Sequence, residues 1–147
     1  MVHAVKRNSH YSFILMLSLL LMHTSAHTAE LVLQSIDNLD NDEFHTDEGN
    51  YFKLIKLDQG CKIETHFYLS NQNQLSHYLF IQKDLLEVTR ETFRYHYEKD
   101  FEGSLDHVTD VYFDSKINLN IHDPDVRKDF NRYKALFPNK DLKLCEH

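Results

Sequence analysis

The residues with the most chemistry in this chain are its histidines, eleven in 147 positions, eight of them after residue 26. His66, His77 and His96 fall in segments with strand-like alternation. Neutral imidazole is the commonest transition-metal ligand, but a site needs three or four ligands converging on one point. The strand register argued below sets His77 near Arg90, with Arg94 and His96 further along the same face. Two guanidinium groups beside two imidazoles repel a cation. His77, Arg90, Arg94 and His96 are therefore expected to form an anion or carboxylate contact patch, or simply a solvated sheet face, and no metal ligands are assigned.

General acid–base chemistry needs a carboxylate or imidazole placed beside its partner. His107 with Asp110, and His122 with Asp123 and Asp125, are the His/Asp neighbours in this sequence. Asp123 has a competing role as a helix cap. There is no GxSxG turn, no Walker loop, no HExxH and no glycine-rich phosphate cradle. With three glycines in all, the backbone has few places to approach a phosphate closely. No catalytic residue and no cofactor are predicted, and the chain is expected not to be an enzyme. Residues 37–50 (DNLDNDEFHTDEGN) are the most polar stretch. Asp40, Asp42 and His45 do not fit a calcium loop, which needs a turn glycine at its sixth position and a glutamate at its twelfth. The segment reads as a solvated loop after an N-terminal element at about 30–36.

The elements that would carry these residues are mostly strands. Residues 51–57 (YFKLIKL) stop at Asp58-Gln59-Gly60. In 61–69, Cys61, Ile63, Thr65, Phe67 and Leu69 alternate with polar or amphipathic residues, the signature of a half-buried strand. Residues 70–74 (SNQNQ) read as a turn, and Leu75, His77, Leu79 and Ile81 then share a face. Lys83-Asp84 reads as a two-residue hairpin loop, with Gln82 paired to Leu85, Ile81 to Leu86 and Leu79 to Val88.

The returning strand reaches about Tyr97, but its apolar side changes from Leu86 and Val88 to Phe93, Tyr95 and Tyr97. Either a bulge lies near 89–92 or both faces of the sheet are occupied. A helix over 84–97 is the competing reading, and the β-favouring run TFRYHY decides for a strand. After a charged loop at 98–107, residues 108–121 are expected to form a second hairpin turning at Asp114-Ser115-Lys116.

A C-terminal helix is the clearest local element. Asp123 can cap it, Pro124 suits its first position, and Asp125 complements the helix dipole. Val126, Phe130, Tyr133 and Phe137 form one apolar stripe, and Pro138-Asn139 closes the helix. The predicted fold class is α+β: an antiparallel β-meander of about five or six strands with one C-terminal amphipathic helix packed on the sheet.

Compartment follows from the N-terminus and the cysteines. Lys6 and Arg7 precede ten residues, FILMLSLLLM (13–22), that are apolar except for Ser18. Thr24-Ser25-Ala26 then offers small residues at a cleavage site. Residues 1–26 read as a secretory signal peptide. Cleavage after Ala29 would put the bulky His27 at −3. The apolar run is half the roughly 20 residues of a spanning helix, so no stable membrane anchor is expected after cleavage.

Residues 27–147 form a single domain with 14 basic and 23 acidic residues, a net charge of −9. That charge repels nucleic acid and favours a cationic partner, or serves only to keep the protein soluble. Cys61 and Cys145 are expected to pair in an oxidising compartment, periplasmic or secreted.

These features point to an exported, non-enzymatic protein-binding domain, an envelope inhibitor or immunity protein acting on a basic protein. The expected anchors are tyrosines exposed opposite the helix: Tyr68, Tyr78, Tyr95 and Tyr97. A small-ligand carrier or sensor, with a cavity between sheet and helix, is the alternative, as is a structural accessory protein of an envelope complex.

Overall fold

The structure is a computed structural model that describes residues 30–46 and 48–146. The predicted signal segment lies outside the described residues. Six strands, β1 (Leu31–Asp37), β2 (Asn50–Lys56), β3 (Cys61–Leu69), β4 (Gln72–Ile81), β5 (Asp84–Tyr97) and β6 (Val108–Asn118), form one sheet in sequence order. Every neighbouring pair is antiparallel. Helix α1 (Pro124–Lys134) packs on one face, followed by the short α2 (Asn139–Leu142) and a 3-10 turn over Lys143–Glu146. The predicted α+β meander is the observed fold.

The helix begins where its capping residues require. The Asp123 carboxylate accepts the Asp125 N–H at 2.8 Å, and Pro124 occupies the first turn, where its missing N–H costs nothing. Phe130 and Tyr133 point into the sheet, and Phe137 is buried just past the helix end. The inner face of the sheet contributes Phe52, Leu54, Ile63, Tyr78, Phe80, Leu85 and Val88. Pro138 does not end the helical region, as the sequence suggested. It precedes α2, and the following 3-10 turn brings Cys145 to Cys61 in a disulfide buried at both ends. Gly60, in the β2–β3 turn, has φ +71° and sits so close to the Phe80 carbonyl that a Cβ there would lie 2.3 Å from it. Only glycine fits that backbone.

Four expectations are corrected. The β4–β5 loop is Gln82-Lys83, with Ile81 paired to Asp84 and Phe80 to Leu85. Leu86 is then an extra residue, a bulge that returns Val88 to the core face opposite Tyr78. The core face of β4 is therefore Ser76, Tyr78 and Phe80, not Leu75, His77, Leu79 and Ile81. Both faces of β4 are apolar enough to mimic a core, and the larger aromatic area goes inside.

Residues 84–97 are one strand, as expected, and its two apolar sets lie on opposite faces: Leu85 and Val88 towards the helix, Phe93, Tyr95 and Tyr97 away from it. The second hairpin is absent. β6 runs straight through Ser115 and Lys116, which pair with Thr92 and Glu91, and Asp114 is a bulge. An edge strand exposes its side chains, so polar residues inside it imitate a turn.

The acidic loop, finally, is not simply solvated. It carries Phe44, 3 % exposed, into the core. The Asn50 side chain braces it by accepting from Leu39 N–H (2.8 Å) and donating to the Leu39 and Phe44 carbonyls (3.0 and 2.7 Å).

Candidate interaction surface

The helix covers one face of the sheet, and no described element is stacked on the other. Register fixes what that uncovered face carries. One row across four strands is Tyr68, Asn73, Phe93 and Phe113. Beside it, Tyr95 pairs with Val111 and Tyr97 with Val108. These rows build an aromatic end. Phe93 and Phe113 meet edge to face at 5.8 Å, and Phe113 and Val111 remain 56 % and 46 % exposed. Tyr95 and Tyr97 lean over the β3–β4 turn, donating to the carbonyls of Leu69 and Ser70, each at 3.2 Å. Tyr95 also bonds the Asn73 side chain. Their hydroxyls are thus fixed, and the two rings meet edge to face.

Three of the four expected tyrosines, Tyr68, Tyr95 and Tyr97, lie at this end. Tyr78 does not. It is 1 % exposed under the helix, against Phe130 and Tyr133. Its parity was misassigned with that of the whole strand, because a shift of one residue exchanges faces.

The same shift breaks up the expected anion patch. His77 pairs with Thr89 and faces away from the helix, whereas Arg90 pairs with Ser76 and lies on the helix side with Arg94 and His96. There Arg90 Nε donates to Ser76 Oγ (3.3 Å), Arg94 approaches Asp114 (3.6 Å), and the His96 ring lies 4.4 Å from that of Tyr112. His107 meets Glu98 (3.0 Å) and stacks on Phe101 rather than joining Asp110. Among the described residues no three His, Cys, Asp or Glu side chains gather as a metal site.

What sequence reasoning missed is a polar network in the middle of the uncovered face. Glu64 accepts from the Tyr51 hydroxyl (3.0 Å), bonds His77 Nε2 (3.2 Å) and lies 3.6 Å from Lys53 Nζ. The His77 hydrogen bond, with Tyr51 and Lys53, holds the Glu64 carboxyl down to about 2, against burial, which pushes it up. Burial and the Glu64 charge push the Tyr51 hydroxyl up, so it stays protonated. Beside this network, His66 stacks on Tyr68 at 4.1 Å, and burial pushes its imidazole down. Alternation placed Glu64 and His66 on one face, but it set His77 on the other, and only the observed pairing of Glu64 with His77 brings them together. Alternation could not reveal an assembly joined across 13 positions of sequence.

A stability prediction follows from Glu64. Its folded carboxyl titrates below the ordinary 4.5. The stabilisation is therefore complete above about pH 4.5 and is lost as pH falls towards about 2. Denaturant unfolding across that window should show a steeper loss for the unaltered protein than for Glu64→Gln. Equal slopes would mean that the network does not favour the folded carboxylate.

The space between helix and sheet, where a carried ligand would sit, is filled by the rings of Phe44, Phe52, Phe67, Tyr78, Phe130 and Tyr133. Among the described residues, no helix is long and apolar enough to cross a membrane. Charge is unevenly distributed: residues 30–123 hold 8 basic and 19 acidic side chains, residues 124–146 hold 6 and 4. The acidic excess therefore belongs to the sheet and its loops. Compared with known protein families, curated proteins and solved structures, the chain matches none.

Proposed function

We propose that this chain is an exported protein-binding domain that receives a basic partner on the aromatic end of its uncovered sheet face. In this reading it acts by occupancy, as an inhibitor or immunity protein does. The observation that carries the reading is Phe113 with Val111, left open to solvent beside half-buried Phe93 and ordered tyrosines. Exposed contiguous apolar surface on a small domain marks an interaction site, and aromatic side chains dominate binding energy at interfaces. The acidic excess of the sheet supports a cationic partner, because opposite charge speeds encounter and rejects wrong partners. The buried disulfide supports an oxidising compartment.

The test is capture. With the disulfide-bonded protein as bait against envelope and secreted extracts, one dominant basic protein should be retained at low salt, with association slowing as salt rises. Phe113→Asp should weaken that complex by about 30-fold, the effect of removing one interface anchor of about 2 kcal/mol. An acidic partner, or affinity unchanged by Phe113→Asp, would overturn the reading.

A further inference from the structure

β6 closes the sheet: it pairs with β5 and with no described strand on its other side. Its eleven residues are exposed along almost their whole length. In an antiparallel ladder, successive N–H groups point alternately to the two neighbouring strands. Leu119 N–H donates to the Val88 carbonyl at 2.8 Å. Counting back from it, Ile117 N–H also turns towards β5, and the N–H groups of Asn118 and Lys116 turn outwards. A row of outward donors and acceptors is a template for another extended segment.

Proteins protect such edges with lysines and bulges. Here the protection is partial. The Lys116 ammonium is drawn back across the sheet to Glu91, at 2.8 Å. The bulges at Thr109 and Asp114 leave Ser115–Asn118 in unbroken register with β5. The side chains along the edge are apolar on both faces of the sheet: Val111 and Phe113 on the uncovered face, Tyr112 and Ile117 on the helix side, each 39–56 % exposed. A surface patch meeting one face would cover only half of these. A strand added alongside β6 would set its own side chains against all four.

Charge selects the occupant. Asp110 and Asp114 lie on β6 itself, and the β5–β6 connection carries Glu98, Asp100, Glu102 and Asp106 against Lys99. A second copy of this chain would bring the same acids edge to edge, and like charges placed opposite each other destabilise a strand pair.

We propose that β6 binds an extended segment of the partner, one in which lysine or arginine alternates with apolar residues, by adding it to the sheet as a seventh strand. This rests on the protein-binding reading above and names its mode: backbone pairing supplies affinity, and the two rows of apolar side chains with the acidic connection supply specificity.

The probe is a synthetic peptide as long as β6 that alternates lysine with valine, compared with the same peptide carrying glutamate for lysine. The lysine peptide should slow amide exchange at Lys116 and Asn118 tenfold or more, and the glutamate peptide should not. Asn118→Pro removes an outward donor, leaves every aromatic side chain in place, and should weaken peptide binding tenfold or more. Absence of binding, protection at β1 instead of β6, or self-association through β6 detected by sedimentation would each overturn the proposal. The captured partner separates the two readings. If Phe113→Asp loses it and Asn118→Pro keeps it, the surface reading stands and edge pairing falls. If both variants keep it, the surface reading falls as well.

Discussion

Replacing both cysteines, Cys61→Ala with Cys145→Ala, should lower the unfolding free energy by about 4 kcal/mol. The bond spans 84 positions of sequence. In the chain-entropy account a link of that length restricts the unfolded ensemble strongly, and the loss appears in full when the link is cut. For a domain of this size the melting temperature should drop by on the order of 15 °C. The measurement is denaturant and thermal unfolding of the oxidised protein, the reduced protein and the double variant, with the last two expected to agree. Other contacts hold the same tail. Gln82 N–H donates to the Cys145 carbonyl (3.1 Å), and Lys134 Nζ donates to the Gln82 carbonyl (2.6 Å). A loss below about 1 kcal/mol would mean that these bonds keep the C-terminal segment in place without the disulfide.

Tyr133→Ala should cost about 3–5 kcal/mol, the range for truncating a large buried aromatic. Tyr133 is the side chain through which α1 grips the sheet. Its ring centroid lies 5.4 Å from Tyr78, 5.7 Å from Phe52 and Phe44, and 6.2 Å from Phe67. One residue thus joins the helix to three strands and to the acidic loop. Its removal opens a void that four other rings cannot all fill, since ring positions are fixed by the strands that carry them. Tyr133→Phe separates packing from the hydroxyl and should cost only about 1 kcal/mol. Equilibrium unfolding with near-ultraviolet circular dichroism reads both effects. A Tyr133→Ala variant as stable as the unaltered protein would mean that the helix is held chiefly by Phe130, Phe137 and the disulfide.

What the sequence made legible was what local chemistry decides. The cap at Asp123, the proline after it and the stripe of Val126, Phe130 and Tyr133 specify a helix within a few neighbours. The alternation in β3 specifies a strand with a buried side, and two cysteines permit one internal pairing. Errors arose where a choice depended on a partner distant in sequence.

β4 offers apolar residues on both sides, so its core face is set by which side meets Phe130 and Tyr133. Reading the β4–β5 turn one position late set His77 beside Arg90, which the observed register separates, and went with Tyr78 on the wrong face. β6 resembled a hairpin because nothing packs on it to demand apolar residues. Phe44 was lost among acids because composition describes a loop's average and not the single side chain it buries. The aromatic end of the uncovered face was half visible, through Tyr68, Tyr95 and Tyr97. Phe93 shared their parity, and Phe113 joined them only once the bulge at Asp114 set its register.

The order of the strands has a consequence for how the chain acquires its structure. Each strand lies beside the one made just before it, so the sheet can grow hairpin by hairpin as a nascent chain emerges, without waiting for distant segments. Topologies dominated by such near-neighbour pairing fold quickly. The Cys61–Cys145 link is the opposite case: its second thiol is the last participant to arrive. By then β3 has a partner strand on each side, and Cys61 is already placed at the start of a formed strand. On this order of pairing, oxidation seals a sheet that already exists rather than guiding its assembly.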